Sequence, residues 1–223
     1  ELSIPITNKF QVNGAIRYEE LENDSSFDPK ISLRYEMSDN LILRASLSTS
    51  FREASLSQLY ASGVGLQGIQ DFNEDGTPKG GTTFIRIAQD GNAKLSPEES
   101  DNFNIGAIWR PQSNLELKLD YWSIDYSDVI TIESAQGIVT ASPFVQAVKR
   151  TIDGTLVGVT TKYFNASNVK TDGIDFAINY SQDFSFGYID LGLNGTYINK
   201  YEIPNAKGEK QNVVGLFNHD NFA

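Results

Sequence analysis

Apolar and polar residues alternate along most of this chain with a period of two, the spacing at which successive side chains of a β-strand point to opposite faces. Phe10, Val12, Ile16 and Tyr18 fall on one face of such a strand, with Gln11, Asn13, Arg17 and Glu19 on the other. The same holds for Ile31, Leu33, Tyr35 and Met37 against Ser32, Arg34 and Glu36, and for Leu41, Leu43, Ala45, Leu47 and Phe51 against Arg44, Ser46, Ser48, Ser50 and Arg52. Phe103, Ile105, Ala107 and Trp109 oppose Asn102, Asn104 and Arg110, and Leu115, Leu117, Leu119 and Tyr121 oppose Glu116, Lys118 and Asp120. There the parity slips, Trp122, Ile124 and Tyr126 become the apolar set, and a bulge near Tyr121 is predicted. Ile174, Phe176, Ile178 and Tyr180 against Asp175 and Asn179, then Ile189, Leu191, Leu193, Tyr197 and Tyr201 against Asp190, Asn194, Thr196 and Lys200, complete the set, with Leu2, Ile4 and Ile6 as the tail of one more strand.

The connections alternate too. Short polar turns are predicted at Thr7 to Lys9, Ser38 to Asn40, Pro111 to Asn114 and about Gln182 to Gly187. Between them lie a modest loop at Leu21 to Asp28 and two very long ones, about Glu53 to Leu95 and Thr131 to Ser167. One end of the sheet is trimmed and the other elaborated, the asymmetry of short periplasmic turns and long extracellular loops in an outer-membrane barrel. A soluble β-sandwich or solenoid also alternates. The apolar face here, however, carries aromatics near strand ends: Phe103 and Trp109 are six residues apart, about 20 Å, close to the roughly 25 Å apolar band between the aromatic girdles of a membrane barrel. The expected fold is all-β, an antiparallel up-and-down transmembrane β-barrel segment of about eight strands.

Composition narrows the function. The 223 residues include 18 Lys and Arg against 29 Asp and Glu, a net charge of −11, which argues against a nucleic-acid partner. Mean hydropathy is −0.32, and no run reaches the roughly 18 apolar residues of a spanning helix; alternating strands need no such run. Cysteine is absent and His219 is the only histidine, leaving little for thiolate metal sites or a His-centred triad. No Gly-rich phosphate loop occurs, adjacent Glu98 and Glu99 face opposite ways on a strand, and neither an enzyme nor a cofactor is expected. Asp71, Asn73, Asp75 and Gly76 resemble the opening of a calcium loop, but the twelfth position, where a bidentate Glu belongs, is Thr82, so a plain turn is favoured. Ser142-Pro143-Phe144 through Lys149 reads as a short helix with Pro at its first position.

Several segments resemble the barrel of TonB-dependent outer-membrane receptors. The run Ile42 to Tyr60 carries Ser50-Phe51-Arg52-Glu53-Ala54 where the family has Gly-Phe-Arg-x-Pro; Gly91 to Gly106 follows the "N..L.PE.S" pattern; Asn114 to Ile130 is similar to the next strand; and Asn165 to Asp175 is similar to the "N...V.T.GID" strand entry. The resemblance runs through essentially the whole chain and implies a barrel of about 22 strands, of which residues 1–223 are part of one domain, with plug, signal peptide, TonB box and barrel C-terminus absent. Alone, such a piece leaves two open sheet edges, which lipid does not tolerate.

The implied function is an outer-membrane active-transport receptor of a Gram-negative bacterium that binds a scarce ligand (ferric siderophore, haem, cobalamin or oligosaccharide) and imports it with TonB-coupled energy. Its partners would be the TonB complex through the missing plug, a small-molecule or metal-chelate ligand, and outer-membrane lipid and lipopolysaccharide. A passive porin-like channel and a soluble secreted carbohydrate-binding β-protein are the alternatives. Arg17, Glu19, Arg34, Glu36, Arg44, Arg52, Arg110, Lys118, Asp120 and Asp175 are expected on the inward face, most of them in cross-strand ion pairs or against the plug. Arg52, Arg44, Arg17 and Asp175 are the candidate ligand contacts, with Arg52 foremost because it ends the polar face at the loop mouth.

Overall fold

The structure is a computed structural model and describes residues 1–20, 25–166, 168–204 and 210–216; His219 and the chain end at 221–223 lie outside the described residues. In chain order the elements are β1 (Leu2–Pro5), β2 (Phe10–Glu20), β3 (Ser25–Ser38), β4 (Leu41–Arg52), α1 (Leu56–Tyr60), β5 (Ser62–Phe72), β6 (Pro78–Asp90), β7 (Glu98–Gln112), β8 (Leu115–Ser127), β9 (Ile130–Ile132), α2 (Ala135–Ala141), β10 (Val148–Arg150), β11 (Leu156–Asn165), β12 (Val169–Phe184), β13 (Gly187–Pro204) and β14 (Lys210–Asn212). Neither helix is long and apolar enough to cross a membrane, which says nothing about crossing by strands. The chain forms two compact units, one from 1–51, 99–127 and 168–217, the other chiefly from 52–98 and 128–167.

The first unit is a nine-stranded antiparallel sheet in the order β1-β2-β3-β4-β7-β8-β12-β13-β14, one strand more than the pattern predicts. Its long strands, up to 18 residues in β13, follow from uninterrupted alternation. The turns at one end are short: two residues at Asp39–Asn40, Ser113–Asn114 and Ser185–Phe186, and four, Ile6 to Lys9, between β1 and β2. From the opposite end leave both long excursions, after Arg52 and after Ser127. Cross-strand registers such as Ile105↔Tyr121, Leu119↔Phe176 and Ile178↔Leu193 place the apolar set on one continuous face. Those side chains remain exposed, Leu119 at 57% and Trp109 at 49%, while Phe103 and Tyr121 meet as a tilted pair with ring centroids 6.2 Å apart. An exposed apolar face of this extent is of the kind a membrane barrel presents to lipid.

The expected bulge near Tyr121 is absent. The β7–β8 register runs unbroken from Glu99↔Ser127 to Trp109↔Leu117, and the β8–β12 register is unbroken as well. Irregularity falls instead between Glu36 and Ser38 on β3, between Trp109 and Gln112 on β7 and between Asp172 and Gly173 on β12. β8 keeps its parity, so Trp122, Ile124 and Tyr126 stand on the same face as Asp120: it is the polar face that turns aromatic.

The second unit corrects the reading of the long excursions as loops. β10, β11, β6 and β5 form a sheet in that order, with β9 paired to β11, and β6 and β11 run parallel, Gly158↔Arg86 to Lys162↔Asp90. Ile69, Ile85, Ile87, Val148, Leu156 and Val159 bury one face of it beneath Ala135 and Val139 of α2. Alternation is legible here only in short pieces, because glycines at 63, 65, 68, 80 and 81 interrupt β5 and β6. Where the β5–β6 register shifts between Ile69 and Asp71, Gln136 of α2 takes the place of a strand: its Oε1 accepts from the Gln70 N–H at 2.9 Å and its Nε2 donates to the Gln70 carbonyl at 3.0 Å.

The helix expected at Ser142 to Lys149 is one segment too late. α2 ends at Ala141, with Ser134 capping its start by accepting from the Gly137 N–H. Ser142 is its C-cap, and Pro143, which has no N–H to continue a helix, follows the stop. The Val148 to Arg150 stretch then pairs with β11. α1 was not foreseen; Ser55 and Gln58 close a capping box at its start.

Candidate ligand-binding face

The polar face of the first unit is built by register. Arg17↔Asp28, Ser32↔Ser46, Arg34↔Arg44, Gly106↔Asp120 and Asp120↔Asp175 put the odd residues of β2 and β12 and the even residues of β3, β4, β7 and β8 on one side. Two of these pairs oppose like charges, which destabilises a strand pair unless each charge finds another partner. Each does. Arg34 donates to Glu36 at 2.6 Å, Arg44 donates Nε and Nη2 to the two oxygens of Asp120 at 2.9 and 2.6 Å, and Asp175 accepts from the Thr196 hydroxyl at 2.7 Å.

The Arg44–Asp120 pair reaches from β4 to β8 across the intervening β7, at Gly106. A Cβ on Gly106 would come within 1.9 Å of the Asp120 carboxylate, so only glycine leaves room for the bridge. Asp120 is buried, and the fork of the guanidinium supplies both its oxygens.

The other candidate residues are engaged separately. Arg17 pairs with Glu19 on its own strand, and its guanidinium lies 5.4 Å from the centroid of the Phe51 ring. Arg52, the last residue of β4, pairs with Glu98, the first of β7; the second Glu98 oxygen accepts from the Ile130 N–H at 2.7 Å, so one carboxylate ties three segments together. Arg110 and Lys118 share Glu116. Of the four candidate contacts, register brings together only Arg44 and Asp175, through Asp120 between them. The expectation of ion pairing is met, although Arg17–Glu19 and Arg34–Glu36 lie along a strand rather than across two.

Sequence patterning missed Trp122 on this face, and with it Gly173. The indole lies against β12, where a Cβ on Gly173 would come within 2.7 Å of the ring. An interior strand glycine is the available signal, because it marks a close approach.

In the second unit, Asp71 does not belong to a cation loop. Its carboxylate accepts from Arg150 at 2.6 and 2.9 Å, and Arg150 spends its remaining donors on the carbonyls of Pro143 and Gly154 while covering the Phe144 ring. Asp75 accepts from the Thr77 N–H and hydroxyl, and Gly76 takes a φ of +77°, so this is the β5–β6 hairpin turn. Among the described residues no cluster of three or more His, Cys, Asp or Glu side chains could hold a metal. Two motif asparagines are staples: Asn92 donates to the Tyr163 carbonyl, and Asn165 accepts from the Ser96 N–H while donating to the Ser96 and Asp128 carbonyls.

The chain belongs to the TonB-dependent receptor family: the family model described as TonB dependent receptor-like, beta-barrel, matches residues 1–217. This is a family of outer-membrane transport receptors. Among solved structures, the siderophore receptor PirA from Acinetobacter baumannii is 15% identical, with 90% of this chain and 27% of that chain covered and a TM-score of 0.63. The ferric enterobactin receptor PfeA from Pseudomonas aeruginosa, a Q482A mutant in complex with enterobactin, is 16% identical over 88% of this chain and 25% of that one, with a TM-score of 0.66. The Serratia marcescens hemophore receptor HasR, with its hemophore HasA and heme, is 16% identical over 80% and 23%, with a TM-score of 0.51. These likenesses establish the fold, and the chain spans about a quarter of the length of the structures it matches. Among proteins of curated function none matches.

Two outcomes test this geometry. Gly106→Val in the full receptor displaces Asp120 and opens the Arg44 bridge, and is expected to cost about 1–3 kcal/mol of barrel stability as a lowered urea midpoint; an unchanged midpoint shows that the bridge crosses elsewhere. The Arg150 hydrogen bonds, aided by the Phe72 N–H and the charges of Arg150 and Lys79, hold the Asp71 carboxyl below its ordinary value against the opposing effect of burial. Its contribution to stability is therefore complete above the unfolded value, about 3.9, and is lost as pH falls through the lower folded one. Pepsin cleavage within 52–98 and 128–167 is expected to rise over that acid window and to lose this pH dependence in Asp71→Asn.

Proposed function

We propose that the chain is part of the barrel domain of an outer-membrane receptor that captures a scarce ligand and imports it with energy delivered through TonB. The observation that carries this reading is the two-faced sheet within a family match over residues 1–217. An exposed apolar band fits lipid, and the opposite face carries arginines, carboxylates, serines and asparagines as a wet, plugged lumen does. The plug, TonB box and remaining strands belong to parts of the parent protein beyond this chain. The elaborated connections face outside the cell and the two-residue turns face the periplasm.

Arg44, Arg17 and Asp175 line the path on the polar face, and Arg52 stands at the end of β4 where that face meets the loops. Because Glu98 holds Arg52 and also binds the Ile130 N–H, losing Arg52 frees a carboxylate at this position.

In a host carrying the full-length receptor, uptake tested with ferric enterobactin, haem, cobalamin and maltodextrin is expected to vanish when TonB is removed or the proton gradient collapses. Uptake that persists, with steady conductance in planar bilayers, makes the protein a passive channel instead. Arg52→Ala is expected to weaken binding of the accepted ligand about tenfold, or 1.4 kcal/mol; unchanged affinity removes Arg52 from the path.

A further inference from the structure

The polar face singles out a class of ligand. Trp122 stands between Asn104 on β7 and Gly173 on β12, its direct register partners. Gly173 has no side chain to stand between the indole and the β12 backbone, and the ring occupies the space a Cβ would need. The indole N–H of Trp122 and the carboxamide of Asn104 make no hydrogen bond among the described residues, and neither does the hydroxyl of Tyr126, four residues further along β8 on the same face. Beside them Ser50 and Ser100 join hydroxyls at 2.7 Å, and Asn102 donates to both.

Charge points the same way. Arg17, Arg34, Arg44 and Arg110 are each held by a carboxylate, and Lys30, which has no such partner, is three strands from Trp122. Strong binding of a polyanionic chelate calls for free guanidinium or ammonium groups; this part of the face offers uncharged donors and an aromatic ring.

We propose that Trp122 and Asn104 form a subsite for a neutral, polyhydroxylated ligand, the sugar ring of an oligosaccharide. The apolar C–H face of the ring stacks on the indole and its hydroxyls accept from the Asn104 carboxamide, while the indole N–H, which lies in the plane of its ring, donates to a hydroxyl of the adjoining sugar. A site built of such donors rejects ligands that leave them unpaired. The inference rests on the receptor reading above and names the ligand class of that face.

The test uses the full-length receptor, purified in detergent and titrated calorimetrically with maltohexaose, cellohexaose, chitohexaose, laminarihexaose and ferric enterobactin. At least one of the hexasaccharides is expected to bind. Trp122→Ala and Asn104→Leu should each weaken that binding at least about tenfold, 1.4 kcal/mol, while Trp122→Phe retains part of it and the heat-dependent gel shift of the folded barrel is unchanged. If no hexasaccharide binds, or binding is indifferent to both substitutions, the subsite is overturned. Ferric enterobactin binding with TonB-dependent uptake and no hexasaccharide binding overturns the sugar class but leaves the receptor reading standing; TonB-independent conductance overturns the receptor reading itself.

Discussion

Every other feature of the first unit depends on strand register. In a bilayer no water satisfies a stray backbone N–H or C=O, so each must pair with a neighbouring strand. Once register is fixed, the period of two decides which side chains meet lipid and which meet the lumen, and a slip of one residue would exchange the two sets. β8 shows how strictly this holds. Its apolar residues change parity at Trp122, yet the strand does not bulge to follow them; register with β7 and β12 is kept, and the aromatic residues are carried onto the polar face. A local hydrophobic preference yields to twelve consecutive residues of pairing with β12.

The polar face then has to accommodate the charges that register imposes. Arg34 opposite Arg44 and Asp120 opposite Asp175 would repel as isolated pairs. The diagonal bond from Arg44 to Asp120 relieves one member of each at once, and Gly106 makes it possible. Glycine in the interior of a strand is a local cost, here offset by a two-point bond across an entire strand. Gly173 beneath Trp122 and Gly195 beneath Phe176 repeat the device, with a ring rather than a carboxylate over the glycine.

Much of this was legible in the residues. The long strands of the first unit, the places of its short turns, the alternation of short and long connections and the pairing of the inward charges all follow from binary patterning. Three things were not. The fold of the long excursions depends on a parallel β6–β11 contact between residues about 70 positions apart, which no local period encodes. The helix at 135–141 was hidden by the stronger Ser-Pro signal at 142–143, which stops a helix as readily as it starts one. The face of Trp122 was misread because parity within one strand was trusted over parity shared with its neighbours. That Arg44 and Asp175 share a face was legible from parity alone; their link through Asp120 needed the register.

The central claim is the two-faced sheet, and the chain has no cysteine to confuse a chemical probe of it. Single cysteines placed in turn at positions 102 to 109 of the full-length receptor in native outer membranes should report the faces directly when challenged with a membrane-impermeant maleimide. Labelling is expected at 102 and 104, with protection at 103, 105, 107 and 109, where a lipid-soluble nitroxide quencher should instead reach an attached fluorophore. Uniform labelling through the segment, or protection without alternation, would contradict the account.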